Sequence, residues 1–171
     1  MSLEFLTWPW MEKFFEHDAD RFRRLHLTQA ILFLPYGTAV DHFQHLIYEK
    51  PDATPAQRHA MWAEMERTYL PWRNFGDMPH AKDGAFWQVQ RHIYRMPFYY
   101  IDYVLAQICA LQFWVCADED REAAMKDYVT LCGRGGEAPF QQLVTDAGLR
   151  SPFETGCLSA VVKKASDWLG V

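Results

Sequence analysis

The chain has 171 residues, half of them hydrophobic and 16% aromatic, with seven tryptophans and a formal net charge of −5. That length supports one domain with a real core. The acidic balance excludes a nucleic-acid partner, since phosphate binding needs a basic face, and the aromatic richness points to surface meant to be covered.

Nearly every segment in chain order predicts helix. Phe5 to Phe15 is apolar and aromatic, with Pro9 near its start. Ala19 to Leu34 sets Phe22, Leu25, Ala30 and Phe33 at helical spacing, and Pro35 predicts an interruption. On the same stretch Arg21, Arg23 and Arg24 sit among Asp18 and Asp20 and read as a solvated helix face. Val40 to Tyr48 resumes the pattern until Pro51. Thr54-Pro55-Ala56-Gln57 is a start signal: a capping hydroxyl, a proline in the first helical position and a glutamine able to close a capping box. The helix it opens is expected to run to about Tyr69, before Pro71.

Residues 71–84, with Pro71, Gly76, Pro79 and Gly84, predict the longest loop. Phe86 to Arg95 then leads through Pro97 into a long apolar helix. Asp118 is expected to cap the following helix, which stops around Gly133, Gly135 and Gly136. Ser151-Pro152-Phe153-Glu154 repeats the capping pattern, and a final amphipathic helix reaches Leu169. No segment of more than a few residues alternates like a strand. The expected fold is all-α, about seven to nine helices forming a single helical domain over residues 1–171.

The apolar run from Phe98 to Cys116 is long enough to span a bilayer, but it carries Asp102, Gln107 and Gln112, which are costly in lipid. A buried helix and no membrane association is the expectation. No basic-then-apolar leader opens the chain. Cys109, Cys116, Cys132 and Cys157 form no C-x-x-C pair and read as reduced cysteines of a cytoplasmic protein.

Seven histidines raise the question of a metal. Neither H-E-x-x-H nor E-x-x-H occurs, which removes the helical zinc and di-iron patterns. Asp41-His42-Phe43-Gln44-His45 is the richest cluster: His42 and His45 can share a helical face, or Asp41 can approach His45 four residues on. Two such groups do not make a metal centre, so no metal ligand is assigned. Gly133-Arg134-Gly135-Gly136 follows a helix and precedes no lysine, so it is a helix stop and not a phosphate loop.

The chemically suggestive stretch is His92 followed by Tyr99, Tyr100 and Tyr103 at the start of the long apolar helix. Spacings of three and four put the rings on one side. Such a group supplies donors for a polarised carbonyl oxygen, or else forms an aromatic core whose hydroxyls are satisfied internally.

Blocks of this sequence resemble the C-terminal part of the oligoendopeptidase F group, within the thimet-oligopeptidase-like zinc metallopeptidases. They are Glu4 to Glu12, Leu34 to His45, His92 to Trp114 and Leu149 to Leu158, in the family's order across nearly the whole chain. The resemblance implies the multi-helix C-terminal lobe of a clam-shaped, zincin-type peptidase that cuts internal bonds of short peptides. It also implies a departure, because the H-E-x-x-H helix and the third zinc ligand would lie upstream of Met1. Zinc is then expected in an intact parent enzyme and not in this chain alone, which is expected to be inactive by itself.

On residue matching, the resemblance gives His92 the role of the histidine that faces the metal and stabilises the oxyanion. Tyr100 and Tyr103 match the tyrosines, with Tyr99 the alternative if the register slips by one. It implies that Glu4 orients a ligand histidine from behind; Asp41 and His45 could line the substrate channel, with a hydrogen-bonded or solvated helix face as the default reading of that pair. The implied partners are short peptides and the missing upstream peptidase segment. The apolar wall left by that segment favours self-association. The alternative reading is a catalytically inactive helical remnant that binds peptides or docks a partner.

Overall fold

The computed structural model describes residues 1–171, and its regular structure is helical throughout. The helices are α1 (Ser2–Leu6), α2 (Glu12–Phe15), α3 (Ala19–Glu49), α4 (Pro55–Tyr69), α5 (Arg91–Arg95), α6 (Tyr100–Glu119), α7 (Arg121–Gly133), α8 (Phe140–Asp146) and α9 (Cys157–Leu169). Short 3₁₀ turns occupy Trp8–Trp10, Glu16–Asp18 and Ala85–Val89. The all-α expectation holds.

Where local rules suffice, boundaries fall as the sequence implies. Thr54 Oγ1 accepts from Gln57 N–H at 3.3 Å and Thr54 N–H donates to Gln57 Oε1 at 2.8 Å, so the capping box is closed with Pro55 in the first turn. Elsewhere the structure corrects the sequence reading. Pro35 does not interrupt: α3 runs unbroken through it. Only one backbone hydrogen bond is forfeited, while Leu34, Ala39, Val40 and Phe43, from the turns around it, are buried. The cap of α7 is Asp120, not Asp118, because α6 extends to Glu119; Asp120 Oδ1 accepts from Ala123 N–H at 3.0 Å. Ser151 makes only a local turn to Phe153 N–H, and α9 begins after Gly156, whose φ of 79° ends that turn.

Contacts divide the chain into two compact units, residues 31–104 and residues 1–30 with 105–171. In the second of these, Phe5, Trp8, Trp114 and Trp168 pack ring against ring, with centroids 5.3–6.0 Å apart. Arg23 corrects the solvated-face reading. It is largely buried and bridges Glu12 at 2.6 Å, Asp20 at 2.7 Å and the Trp8 carbonyl at 2.8 Å. Arg121 donates to the Leu6 carbonyl at 2.7 Å and lies 4.1 Å over the Trp10 ring. Buried Gln112 holds the backbone of Arg150 by both its N–H and its carbonyl. The four cysteines are free, and burial pushes the Cys109 thiol up to about 11, so it stays protonated and inert. Helix α6 is apolar enough in length and composition to cross a membrane, and 56% of that apolar stretch is buried within the protein.

The 31–104 unit is organised around Ala39, Val40 and Phe43 of α3, Trp62 and Met65 of α4, Trp87, Ile93 and Tyr100. Two glycines permit its close approaches. A Cβ on Gly37 would lie 2.3 Å from Val104 Cγ2, so glycine lets α3 meet the start of α6. A Cβ on Gly84 would lie 2.1 Å from the His59 carbonyl oxygen, and its φ of 83° is itself left-handed.

Candidate active site

The chain enters α6 through an unusual turn. Phe98 has φ 62°, a left-handed conformation that is rare for a bulky residue and costs about 1–3 kcal/mol. Fully buried Gln44 of α3 accepts the Phe98 N–H at 2.9 Å. The Phe98 ring rests between His45 and Tyr48, with centroids 4.9 Å from each. This clamp sets the direction in which Tyr99, Tyr100 and Tyr103 leave the turn.

From α5, His92 reaches the same place. Its ring lies edge-on to Tyr100 at 4.9 Å and to Tyr103 at 5.6 Å. Tyr103 in turn meets Tyr99 at 5.4 Å and Tyr100 at 5.6 Å. The four residues singled out from the sequence therefore form one cluster. Their exposures are graded: Tyr99 is exposed, His92 and Tyr103 are half-buried, and Tyr100 is buried. Tyr100 packs on Phe33 and Tyr36, and burial followed by the neighbouring Tyr103 raises its phenol above the usual range. The orphaned buried polar atoms of the chain include Gln44 Nε2, Trp87 Nε1 and Gln107 Nε2, but no tyrosine hydroxyl. The cluster is thus not a sealed core of stranded phenols.

Two neighbours that the sequence reading missed hold His92. Gln90, the residue capping α5, places its Nε2 2.6 Å from His92 Nδ1. Tyr36 of α3 donates its hydroxyl proton to Gln90 Oε1 at 2.8 Å. Burial pushes the Tyr36 phenol up to about 12, so it keeps that proton throughout the neutral range. Gln90 stands two residues before His92 and Tyr36 lies within the Leu34–His45 block, but no motif singles either out.

Asp41 and His45 approach each other at 3.5 Å. They meet the tyrosine stretch at Phe98 and Asp102: His45 packs on the Phe98 ring, and Asp102 is one of the charges acting on Asp41. Burial raises the Asp41 carboxyl against the opposing pull of His45 and His42. His42 points elsewhere, with Nδ1 3.0 Å from the Tyr69 hydroxyl. Glu4 belongs to the other unit. It is exposed, lies 3.0 Å from the N-terminal amine and 3.6 Å from His26 Nε2, and its carboxyl is lowered first by the amine.

No group of three or more His, Cys, Asp or Glu side chains converges as a metal ion requires. The residues present therefore do not fit a zinc centre. What they offer is one imidazole and three phenols clustered ring against ring, groups whose N–H and O–H can donate hydrogen bonds.

The description "Peptidase family M3" matches residues 11–163 of the chain. Three solved structures are similar over 99% of it. One, described as oligoendopeptidase F, is 56% identical with a TM-score of 0.95. A second, PZ peptidase A with an inhibitor, is 52% identical with a TM-score of 0.95. The third, an oligoendopeptidase F from Bacillus anthracis str. Ames, is 47% identical with a TM-score of 0.81. The chain spans 30%, 30% and 27% of those three chains. No curated protein is a significant match.

Proposed function

Because the chain belongs to peptidase family M3, we propose that it forms part of a zinc-dependent oligoendopeptidase hydrolysing internal bonds of short peptides, to which it contributes the oxyanion-facing wall. The observation that carries this reading is the edge-on contact of His92 with both Tyr100 and Tyr103. When water adds to a peptide carbonyl, negative charge develops on its oxygen. Donors already held in place stabilise that charge without reorganising, which is where catalysis gains most. His92 supplies one N–H, and Tyr103, half-exposed beside it, is the more accessible of the two matched phenols. Buried Tyr100 backs both rings, with Tyr99 at the rim.

The metal that the family implies would polarise the carbonyl and activate water when bound, held by residues that this chain does not supply. His45, packed on the Phe98 ring, and Asp41, 3.5 Å from His45, would contact the peptide along its length. The chain alone is accordingly expected to bind no zinc tightly and to cleave nothing. Metal analysis and a short-peptide hydrolysis assay on the purified chain test this. One tight zinc per chain, with cleavage blocked by a chelator, would refute the reading.

A further inference from the structure

His92 can serve as a donor only in one of its two neutral forms. With the proton on Nε2, the nitrogen remote from Gln90 is an N–H and attracts a carbonyl oxygen. With the proton on Nδ1, that same nitrogen presents a lone pair and repels it. The atoms around Nδ1 therefore bear on whether the residue can act at all.

Gln90 Nε2 stands 2.6 Å from His92 Nδ1, and Gln90 Oε1 stands 2.8 Å from the Tyr36 hydroxyl. An amide nitrogen can only donate, so in this orientation Nδ1 must accept and its proton must reside on Nε2. Turning the amide over would reverse the order. Oε1 would then demand a proton on Nδ1, and Nε2 would make the Tyr36 oxygen its acceptor, leaving the phenolic proton to find another partner.

The surroundings of Tyr36 disfavour that reversal. Its ring lies edge-on to Trp62 at 6.4 Å and to Tyr100 at 6.1 Å, and the Arg73 guanidinium stands 5.4 Å from its centroid. Rings are poor acceptors and a guanidinium accepts nothing. The remaining acceptor nearby, Glu66 Oε1, takes no hydrogen bond and faces the Arg73 guanidinium at 3.5 Å, while the Tyr36 proton goes to Gln90. Burial also keeps the phenol protonated, so the hydroxyl cannot become a pure acceptor near neutral pH.

We infer that Tyr36 and Gln90 are positioning residues, a relay in which the Tyr36 hydroxyl orients the Gln90 amide and that amide holds His92 with its proton on Nε2. Neither residue needs to touch a substrate. The relay rests on the oxyanion reading only for its purpose; the ring's protonation state is a property of the chain by itself.

The test is a long-range ¹H–¹⁵N spectrum of the imidazole rings of the 171-residue chain, taken above the imidazole titration range and assigned by His92→Ala. The wild type is expected to carry the His92 proton on Nε2. A free imidazole already leans that way, so the variants decide. Gln90→Glu replaces the donor by an acceptor and is expected to move the proton to Nδ1, changing the ratio of the two forms by about tenfold or more. Tyr36→Phe frees the amide to turn and is expected to raise the Nδ1–H share without that full reversal. A wild-type proton on Nδ1 would overturn the relay, as would Gln90→Glu and Tyr36→Phe spectra that both keep the wild-type ratio. Should the spectra behave as expected while His92→Ala leaves peptide hydrolysis by the peptidase carrying this segment unaffected, the relay stands and the oxyanion role falls.

Discussion

Trp8 and His26 show how much one hydrogen bond settles at the scale of a residue. Trp8 Nε1–H donates to His26 Nδ1 at 3.0 Å, so the imidazole must be unprotonated on that side. Burial lowers the His26 pKa from its usual value despite the opposing pull of Glu4. A histidine whose folded pKa is depressed adds stability above its unfolded value, about 6.5. That contribution is lost as pH falls through the lower, folded value, because the unfolded chain then binds more protons. Acidification from neutral pH should therefore destabilise the chain and release the Trp8 indole N–H, and both effects should vanish in His26→Phe. Indole N–H shifts and denaturation midpoints of both chains from about pH 8 to pH 5 check this; the same pH dependence in wild type and His26→Phe would contradict it.

Residue-scale legibility was uneven for physical reasons. The His92, Tyr99, Tyr100 and Tyr103 cluster could be anticipated because the tyrosines lie at spacings of three and four and His92 precedes them in the same short stretch, while the family blocks added only their roles. Gln90 to Tyr36 and Gln44 to Phe98 could not, since each bond bridges 54 residues and depends on how helices dock. Arg23 read as solvated because its partners include a backbone carbonyl, which leaves no trace in side-chain charge patterns.

Among the elements, α3 and the turn before α6 carry the positioning. Pro35 was expected to break α3, but apolar burial on either side outweighs one missing hydrogen bond, a contest that local propensity cannot decide. The Thr54 start of α4 could be read because every participant lies within four residues. The Phe98 turn is the opposite case: its left-handed φ is held by Gln44 from another element and by rings of His45 and Tyr48. Gln44→Met keeps the side-chain volume but removes the acceptor of Phe98 N–H. Hydrogen exchange should then show that amide losing protection, with a global loss on the order of 1 kcal/mol. An unchanged Phe98 exchange rate would show that the turn stands without Gln44.

Over the whole molecule, exposed apolar side chains are scattered along the chain; one group of them, Val89, Tyr94, Met96, Phe98 and Tyr99, lies close in sequence, with Tyr48 against Phe98. This stretch adjoins the His92 and tyrosine cluster in sequence and contact, and under the proposed function it would be covered by substrate or by other parts of a peptidase. The purified chain should accordingly self-associate as concentration rises, and light scattering that reports a clean monomer at high concentration would count against that picture. The chain spans 27–30% of the solved relatives it resembles, so the rate consequences of the proposed function would be read in a longer peptidase carrying this segment. There, the most direct measurement is the double-mutant cycle between His92→Ala and Tyr103→Phe on kcat for a short internal peptide. If both side chains donate to one developing oxyanion, each substitution lowers kcat by about 10²–10³-fold with KM little changed, and the double variant falls short of their product. Values of kcat within a few-fold of wild type for both single variants would contradict the account.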